Sequence, residues 1–243
     1  MSGALPGPET ESRSDRAGSV AARRMRFDEY PYESVAWLYD ELAALYSLGR
    51  IGCSKAAHLA GIEAGDRVLF AGVGRGSDAL LALRRGAKVT AVDLSPAMLA
   101  RFAHRLARAG LEAEHLLRGD VADHRPDRPY DVVVANYFLN LFDEARAGEM
   151  LRRLGQLVRP AGTLLLADFA QPLGGSFARA ITNAYYRPVN WIAWALGFCA
   201  RHPILDYPRL LEPMGFRIRS ERRFPVLFGS NPAYLSIAAE RIA

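Results

Sequence analysis

The sequence predicts an α/β fold in which helices cover both faces of a mostly parallel β-sheet. Between residues 67 and 168, short apolar segments alternate with longer segments of helical periodicity. The apolar segments, such as YDVVVAN at residues 130–136, are unbroken runs, which is typical of strands buried on both faces. Half of the 243 residues are hydrophobic, so the chain can bury a sizeable core.

Seven strands and four helices are expected along this alternation. The predicted strands are Arg67–Ala71, Lys88–Asp93, Glu112–Arg118, Tyr130–Asn136, Gly162–Asp168, Phe216–Arg223 and Tyr234–Arg241. The predicted helices are Ser77–Arg85, Pro96–Ala109, Glu144–Val158 and Asp206–Met214. A Gly-Ser-Asn-Pro turn region joins the last two strands.

Three segments lie outside the alternation. Residues 1–24 are rich in Gly, Ser, Pro and charge, so we expect a flexible tail ahead of one domain at residues 25–243. Apolar side chains at helical spacing predict N-terminal helices within residues 25–62. Residues 173–202 are apolar and aromatic, and we expect them to form a helical insertion, or lid, after the fifth strand.

Composition and charge narrow the function only slightly. The chain carries 31 Lys and Arg against 26 Asp and Glu, and this small basic excess fits a nucleic acid, an anionic membrane or an acidic ligand. The two cysteines give neither a disulfide framework nor a zinc spacing, so we expect no metal site and a reducing, cytoplasmic location. The N-terminal residues are polar, unlike a signal peptide, and no apolar run is long enough for a transmembrane helix.

A glycine-rich loop, GVGRG, follows the first predicted strand. Gly72, Gly74 and Gly76 allow sharp backbone bending and close approach of a ligand, and ligands of open α/β sheets bind beyond the carboxyl ends of the strands. The alternative is a tight turn without a ligand. A nicotinamide cofactor is disfavoured because Ser77 stands where the GxGxxG fingerprint needs glycine, and the GK[ST] of a P-loop is absent.

Polar residues at the ends of three further strands point to an adenosine ligand. Asp93 can accept hydrogen bonds from both ribose hydroxyls of an adenosine. The alternative role, capping the following helix, suits Ser95 better, which leaves Asp93 for a ligand. Asp120 can accept from an adenine amino group while Val121 packs on the ring, although an ordinary turn aspartate is the alternative. Asn136 and Tyr137 place polar atoms at the rim of the sheet.

In this order, the segments VLFAGVGRG, VTAVDLSPAM, RGDVAD, YDVVVANYF and RPAGTLLLADF resemble the class I S-adenosylmethionine-dependent methyltransferases over about residues 65–170. The resemblance implies a Rossmann-like, seven-stranded sheet closed by an antiparallel hairpin, with S-adenosylmethionine as the cofactor. It further implies the following cofactor contacts: Gly72, Gly74 and Gly76 at the methionine part, Asp93 at the ribose, Leu94 and Met98 beside the adenine, Asp120 and Val121 at its edge, and Asn136 close by.

The chain departs from the family pattern at Ala71. Most members carry an acid at this position, just before the first glycine, and that acid contacts the amino group of the cofactor directly or through water. We therefore consider Asp78, Tyr39 and Asp40 as residues that compensate. The departure also leaves open a non-catalytic protein that has kept only the shape of the site.

Methyl transfer from a sulfonium needs alignment and exclusion of water more than a fixed catalytic triad. Tyr137, Asn136 and Asn140 are the candidates for orienting the acceptor, although Tyr137 could equally pack on the insertion. His124 and His202 are the histidines best placed in the sequence to act as a general base.

The aromatic insertion is the clue to the acceptor. Arginines punctuate the Trp, Tyr and Phe residues of 177–201, which fits a lid over a small or lipid-like acceptor, peripheral contact with a membrane, or core packing of a helical subdomain. The arrangement is loosely similar to quinone- and phospholipid-directed methyltransferases. A nucleic-acid methyltransferase is disfavoured because Asn136-Tyr137-Phe138-Leu139 lacks the prolines of NPPY and no Lys/Arg block is present.

Overall fold

The computed structural model describes residues 47–171, 173, 204–225 and 232–242, and every structural statement below concerns these residues. The predicted tail at 1–24, the helices before residue 47 and nearly all of the 173–202 insertion lie outside them. So do His202, Tyr39 and Asp40, and the predictions made for them stay predictions.

One seven-stranded sheet organises the described part of the chain. Its strands are β1 (Arg67–Ala71), β2 (Lys88–Asp93), β3 (His115–Arg118), β4 (Tyr130–Asn136), β5 (Val158–Phe169), β6 (Phe216–Pro225) and β7 (Pro232–Arg241). The spatial order is β3-β2-β1-β4-β5-β7-β6, with β1 to β5 parallel and β7 antiparallel to both of its neighbours. The predicted sheet and closing hairpin are therefore confirmed.

Five α-helices accompany the sheet in the described residues. They are α1 (Arg50–Ala56), α2 (Ser77–Arg84), α3 (Pro96–Ala109), α4 (Glu144–Leu157) and α5 (Tyr207–Leu211). The α3 helix begins as the sequence predicts, with Pro96 in its first turn and the Ser95 side chain accepting a hydrogen bond from the Met98 amide at 3.3 Å. Short 3-10 turns at Val121–Asp123 and Leu139–Leu141 follow β3 and β4.

Three predicted boundaries were wrong by three residues or more, and the others lie within two residues. The β3 strand begins at His115 rather than Glu112, because its pairing with β2 begins at Thr90. The β5 strand begins at Val158 rather than Gly162, because Val158 pairs with Tyr130 before an irregularity in the register. The helix predicted over Asp206–Met214 is α only as far as Leu211 and ends in a 3-10 turn.

Both faces of the sheet are covered, which explains the unbroken apolar runs. Val68 and Phe70 of β1 point into a core cluster with α2 and α3. Leu69 and Ala71 point to the other face, into a cluster with α4 and α5. All four side chains are buried, so β1 has no face left for polar residues.

The order of the strands reverses between β1 and β4. In open α/β sheets the crevice at such a switch point, beyond the carboxyl ends of the strands, is where ligands bind. Hydrogen bonds between backbone groups hold the connecting loops at this edge: the Gly72 amide donates to the Val92 carbonyl at 2.9 Å, and the Tyr137 amide to the Ala167 carbonyl at 2.7 Å. The loops after β1 and β4 are therefore fixed at this edge of the sheet.

Candidate functional site

The three glycines of the loop have different structural reasons for being glycine. All three have positive φ, which disfavours other residues. A Cβ at Gly76 would lie 2.0 Å from the buried Phe102 ring, and one at Gly72 would lie 2.7 Å from the Phe138 ring. A Cβ at Gly74 would meet nothing within 4 Å. Packing thus requires Gly72 and Gly76, and only Gly74 faces open space.

Asp93, at the end of β2, holds the loop in place. Its carboxylate accepts from the Gly74 amide at 3.1 Å and from the Ser95 amide at 2.9 Å. Asp93 thus has partners within the chain, because the strand end lies between two loops that both present amides, while Ser95 caps the helix as expected. Burial raises the pKa of Asp93, and hydrogen bonds from the amides of Ser95, Gly74 and Val73 oppose that rise. A carboxylate has about four acceptor positions, so Asp93 retains capacity for further donors.

A second opening lies beside Asp93, after β3. The Gly119 amide donates to the Asp93 carbonyl at 3.1 Å, and a Cβ at Gly119 would meet nothing within 4 Å. Leu94, which the resemblance places beside an adenine, is 44% exposed. An apolar side chain and two glycines with open space therefore surround Asp93.

The predicted adenine contacts at Asp120, Val121 and Met98 have structural roles of their own. Asp120 accepts from the Ala122 amide at 2.8 Å and caps the 3-10 turn, which is the turn-aspartate alternative. Val121 and Met98 are both buried, and Val121 belongs to the core cluster on the α4 face. Their contacts with a ligand stay predictions.

Asn136 joins the end of β4 to an acid in α2. Its side-chain amide donates to an Asp78 carboxylate oxygen at 2.9 Å, and the same nitrogen lies 3.5 Å from the Lys55 carbonyl oxygen. Asp78 is only 7% exposed, whereas Ala71 is fully within the core. Of the three residues considered to compensate for Ala71, Asp78 is the one that the structure describes, and it lies at this edge of the sheet.

Tyr137 is held in an unusual conformation directly after Asn136. Its φ is 52°, in the left-handed region that few non-glycine residues adopt. Its hydroxyl lies 2.8 Å from the Ser54 hydroxyl, which itself donates to the Ile51 carbonyl at 2.9 Å. Because a serine has one hydroxyl proton, Tyr137 is the donor in this pair. The phenol is thereby anchored to α1.

Aromatic rings and one cation surround Tyr137. Its ring makes edge contacts with Phe169 at 5.7 Å and Tyr234 at 6.3 Å between centroids, and the Lys55 ammonium lies 5.7 Å from its centroid. Ser54 and Lys55 were not predicted from the sequence as residues of this site. Lys55 is one of only two lysines among the 31 Lys and Arg residues, and this rarity was the one signal in the sequence. Its contact with the distant Tyr137 ring leaves no local sequence pattern.

His124 does not reach this edge. Its ring lies 2.8 Å from the Tyr130 hydroxyl, and Tyr130 begins β4, six residues and therefore about 20 Å from Asn136. Burial, with Arg153, Arg125 and His115 adding to it, lowers the pKa of His124. The structure does not support the hypothesis that His124 is the general base.

His58 forms a separate network on the hairpin. Its two ring nitrogens lie 2.8 Å from the Ser236 hydroxyl and 3.1 Å from the Ser220 hydroxyl, and so connect the segment after α1 to β7 and β6. Burial and the charge of Arg222 lower the pKa of His58. In the described residues, no helix combines the length and the apolar character that crossing a bilayer requires.

Comparison with protein families gives a match to the methyltransferase domain over residues 68–162. The chain is 34% identical over 151 residues to the demethylmenaquinone methyltransferase of Thermobifida fusca, a match that covers 58% of this chain and 62% of that protein. It is 33% identical over 127 residues to an uncharacterized methyltransferase of Mycobacterium tuberculosis, covering 52% and 58%. The chain thus spans less than two thirds of the length of these relatives.

Solved structures share the fold. The 1,6-didemethyltoxoflavin-N1-methyltransferase of Burkholderia thailandensis, with 1,6-didemethyltoxoflavin and S-adenosylhomocysteine bound, superposes with a TM-score of 0.57 at 22% identity, covering 88% of this chain and 91% of that one. The magnesium protoporphyrin IX methyltransferase of Synechocystis, with S-adenosylmethionine bound, gives 0.58 at 20% identity, covering 81% and 80%. At this identity the likeness concerns the fold alone.

Proposed function

We propose, from the premise that residues 68–162 belong to the methyltransferase-domain family, that this chain is an S-adenosylmethionine-dependent methyltransferase acting on a small or lipid-like acceptor. One observation carries the proposal. Asp93 binds Gly74 through its side chain and Gly119 through its carbonyl, and these are glycines at which a side chain would project into open space. The result is a cradle around a carboxylate at the switch point of the sheet.

The residues of this cradle fit the nucleoside half of the cofactor. A carboxylate can accept from two ribose hydroxyls, and the exposed Leu94 offers an apolar surface to a purine ring. Gly74 and Gly119 let a ligand approach the backbone without meeting a side chain. When bound, the cofactor supplies a methyl group on a sulfonium, which is already activated for displacement.

The chain has to align the acceptor with that methyl group and keep water away. The acceptor wall, defined here as Tyr137, Phe169 and Tyr234, lies at the ends of β4 and β5 and the start of β7, on the same edge of the sheet as the cradle. Tyr234 is fully buried, so Tyr137 and Phe169 are the rings of this wall that are partly exposed. Ser54 fixes the Tyr137 phenol through a hydrogen bond, so the ring has a defined orientation. Tyr137 and Asn136 are the residues that we propose to orient the acceptor.

The character of this wall supports an apolar acceptor with a ring. Edge-to-face aromatic contacts favour a further ring or an isoprenoid chain over a strongly polar substrate. The relative from Thermobifida fusca carries the name demethylmenaquinone methyltransferase, which agrees with a quinol-like acceptor. In this proposal the aromatic segment 177–201 covers the acceptor or contacts a membrane, and His202 is a candidate base.

Calorimetric titration with S-adenosylmethionine and S-adenosylhomocysteine tests the cofactor. We expect both to bind, and Asp93→Ala to weaken binding by about 1–3 kcal/mol, the effect of removing a charged acceptor from buried donors. Asp127→Ala is the control, because Asp127 is an exposed acid paired with Arg67 at the opposite end of the sheet. Failure of the folded wild-type protein to bind either compound would falsify the proposed function.

A screen with labelled cofactor tests the acceptor class. We expect methylation of quinols or phenols with an apolar chain, and weaker methylation or none of oligonucleotides. Methylation confined to oligonucleotides would contradict the proposed acceptor class but not the proposed methyltransferase activity. Co-sedimentation with anionic liposomes at low salt tests membrane contact, and no sedimentation argues against the interface hypothesis for 177–201.

A further inference from the structure

Asp78 is a buried acid for which the fold gives no evident need. It lies in the first turn of α2, two residues after Gly76, and is 7% exposed. One carboxylate oxygen accepts from the Asn136 side chain at 2.9 Å, and the other from the Ala79 amide at 3.2 Å. In the described part of the chain, no Lys, Arg or His forms an ion pair with it.

An acid in this environment is expensive for the folded protein. Burying a carboxylate without a cation carries an unfavourable free energy, and the N-terminus of a helix and the two amide donors, from Asn136 and Ala79, offset only part of it. An uncharged residue at position 78 would fill the same space without that penalty. A buried acid without a cation partner among the described residues, at the edge of a ligand site, therefore suits a ligand that brings a positive charge.

The position of Asp78 defines which part of a ligand it faces. In the sheet, β1 lies between β2 and β4, so the glycine loop after β1 has Asp93 on its β2 side and the Asp78–Asn136 pair on its β4 side. Two strand spacings separate these sides, about 10 Å. A nucleoside whose ribose is held at Asp93 extends its other end across Gly74 toward Asn136.

We propose that Asp78, positioned by Asn136, binds the α-ammonium of the amino-acid portion of the cofactor. The charge is supplied from the first turn of α2 because the end of β1 carries Ala71, a buried core residue, and supplies none. This inference rests on the proposed function. It adds the way in which the chain holds the end of the cofactor opposite to the adenine.

Two ligands that differ only at that end provide the test. S-adenosylhomocysteine and 5′-methylthioadenosine share the nucleoside thioether, but only the first carries the ammonium and carboxylate groups. In Asp78→Asn the amide oxygen still accepts from Asn136 while the charge is gone. We expect calorimetry to show about a ten- to hundredfold loss of affinity for S-adenosylhomocysteine and less than about a twofold change for 5′-methylthioadenosine. Removing the Asp78 charge also removes its repulsion of the ligand's carboxylate, which would raise the affinity. A decrease in affinity therefore reports on the lost attraction to the ammonium group.

Controls separate this inference from the function on which it rests. Asp93→Ala should weaken both ligands, and Asp127→Asn, which removes the same charge at the far end of the sheet, should weaken neither. The melting temperature of ligand-free Asp78→Asn should equal or exceed that of the wild type. If Asp78→Asn does not fold, Asp78→Ser is measured instead, since serine also suits the first turn of a helix.

The outcomes are distinct. If the wild type binds neither ligand, the proposed function fails. If the wild type binds both and the loss of the Asp78 charge weakens both equally, or neither, Asp78 is a structural residue and the inference is overturned. A selective loss of S-adenosylhomocysteine supports it.

Discussion

The two halves of the carboxyl edge are held together in different ways. Around Asp93, one residue binds backbone amides: its carboxylate accepts from Gly74 and its carbonyl from Gly119. Both amides lie within 26 residues of Asp93 in the sequence. Around Tyr137, side chains meet from distant elements: Tyr137 and Ser54 are 83 residues apart, and Asn136 and Asp78 are 58 apart. The first half depends on backbone geometry and tolerates few changes, whereas the second depends on side chains that can be exchanged singly. In the proposed function, this gives a fixed cofactor cradle and an adaptable acceptor wall on one edge of the sheet.

Substitution of the loop glycines should have the largest effect on stability. It should also distinguish a glycine required by packing, Gly76, from one that faces open space, Gly74. Gly76→Ala places a Cβ against Phe102, which is fully buried and cannot move aside, so we expect a loss of about 3 kcal/mol or more of unfolding free energy. Gly74→Ala has open space and should lose only about 1–2 kcal/mol, from its positive φ.

Denaturant unfolding and calorimetry together check this difference. Gly74→Ala should remain folded but bind S-adenosylhomocysteine at least about tenfold more weakly, because its methyl group points where a ligand would approach. Equal stability of the two variants would contradict the packing role of Gly76. Wild-type affinity in Gly74→Ala would contradict the position of the cradle.

Substitution in the acceptor half should have an intermediate effect, confined to the acceptor. Tyr137→Phe and Ser54→Ala each remove the hydrogen bond between α1 and the rim while leaving Asp93 untouched. We expect each to lower kcat/KM for the acceptor by about three- to tenfold, equivalent to one hydrogen bond, with unchanged affinity for S-adenosylhomocysteine. A double variant no worse than either single one would identify the pair as one unit. A change in cofactor affinity instead would show that the two halves are not separable.

The smallest effect should come from pH, through His58. Burial and Arg222 lower its pKa in the folded protein, so between the folded and the unfolded pKa the unfolded chain binds more protons, and stability falls as the pH drops below about 6.5. The difference in unfolding free energy between pH 5 and pH 7.5 should be smaller in His58→Gln than in the wild type. The variant lacks the fraction of a proton that His58 takes up on unfolding. His124 contributes a slope of the same sign to both proteins, so the comparison isolates His58. Identical slopes would contradict the prediction.

The parts of the fold that the sequence predicts correctly are those that local chemistry determines. The bounds of β1, β2 and β4 and the Ser95 cap of α3 agree with the structure because apolar runs and cap residues act within a few positions. The start of β5 did not follow from its residues, since Val158 becomes a strand residue only through pairing with Tyr130.

The candidate site shows the same limit. Asp93 was identifiable because it ends a strand, but its bond to Gly74 depends on how a loop 19 residues earlier folds back. The pairs Asn136–Asp78 and Tyr137–Ser54 depend on which helices lie beside β4, a tertiary arrangement without a sequence period. The acceptor wall depends in addition on Tyr234, brought beside Phe169 by the insertion of β7.

That insertion has a consequence for biosynthesis. Because β7 lies between β5 and β6, the β6 strand emerges from the ribosome before β7, its neighbour in the described sheet, has been made. Four arginines, at positions 217, 219, 222 and 223, give β6 a charged surface before β7 is available to pair with it, as gatekeeper residues do in strands prone to aggregate. A nonsense mutation ahead of Pro232 would therefore remove two strands from the sheet rather than one, and would leave β5 as an uncovered, apolar edge.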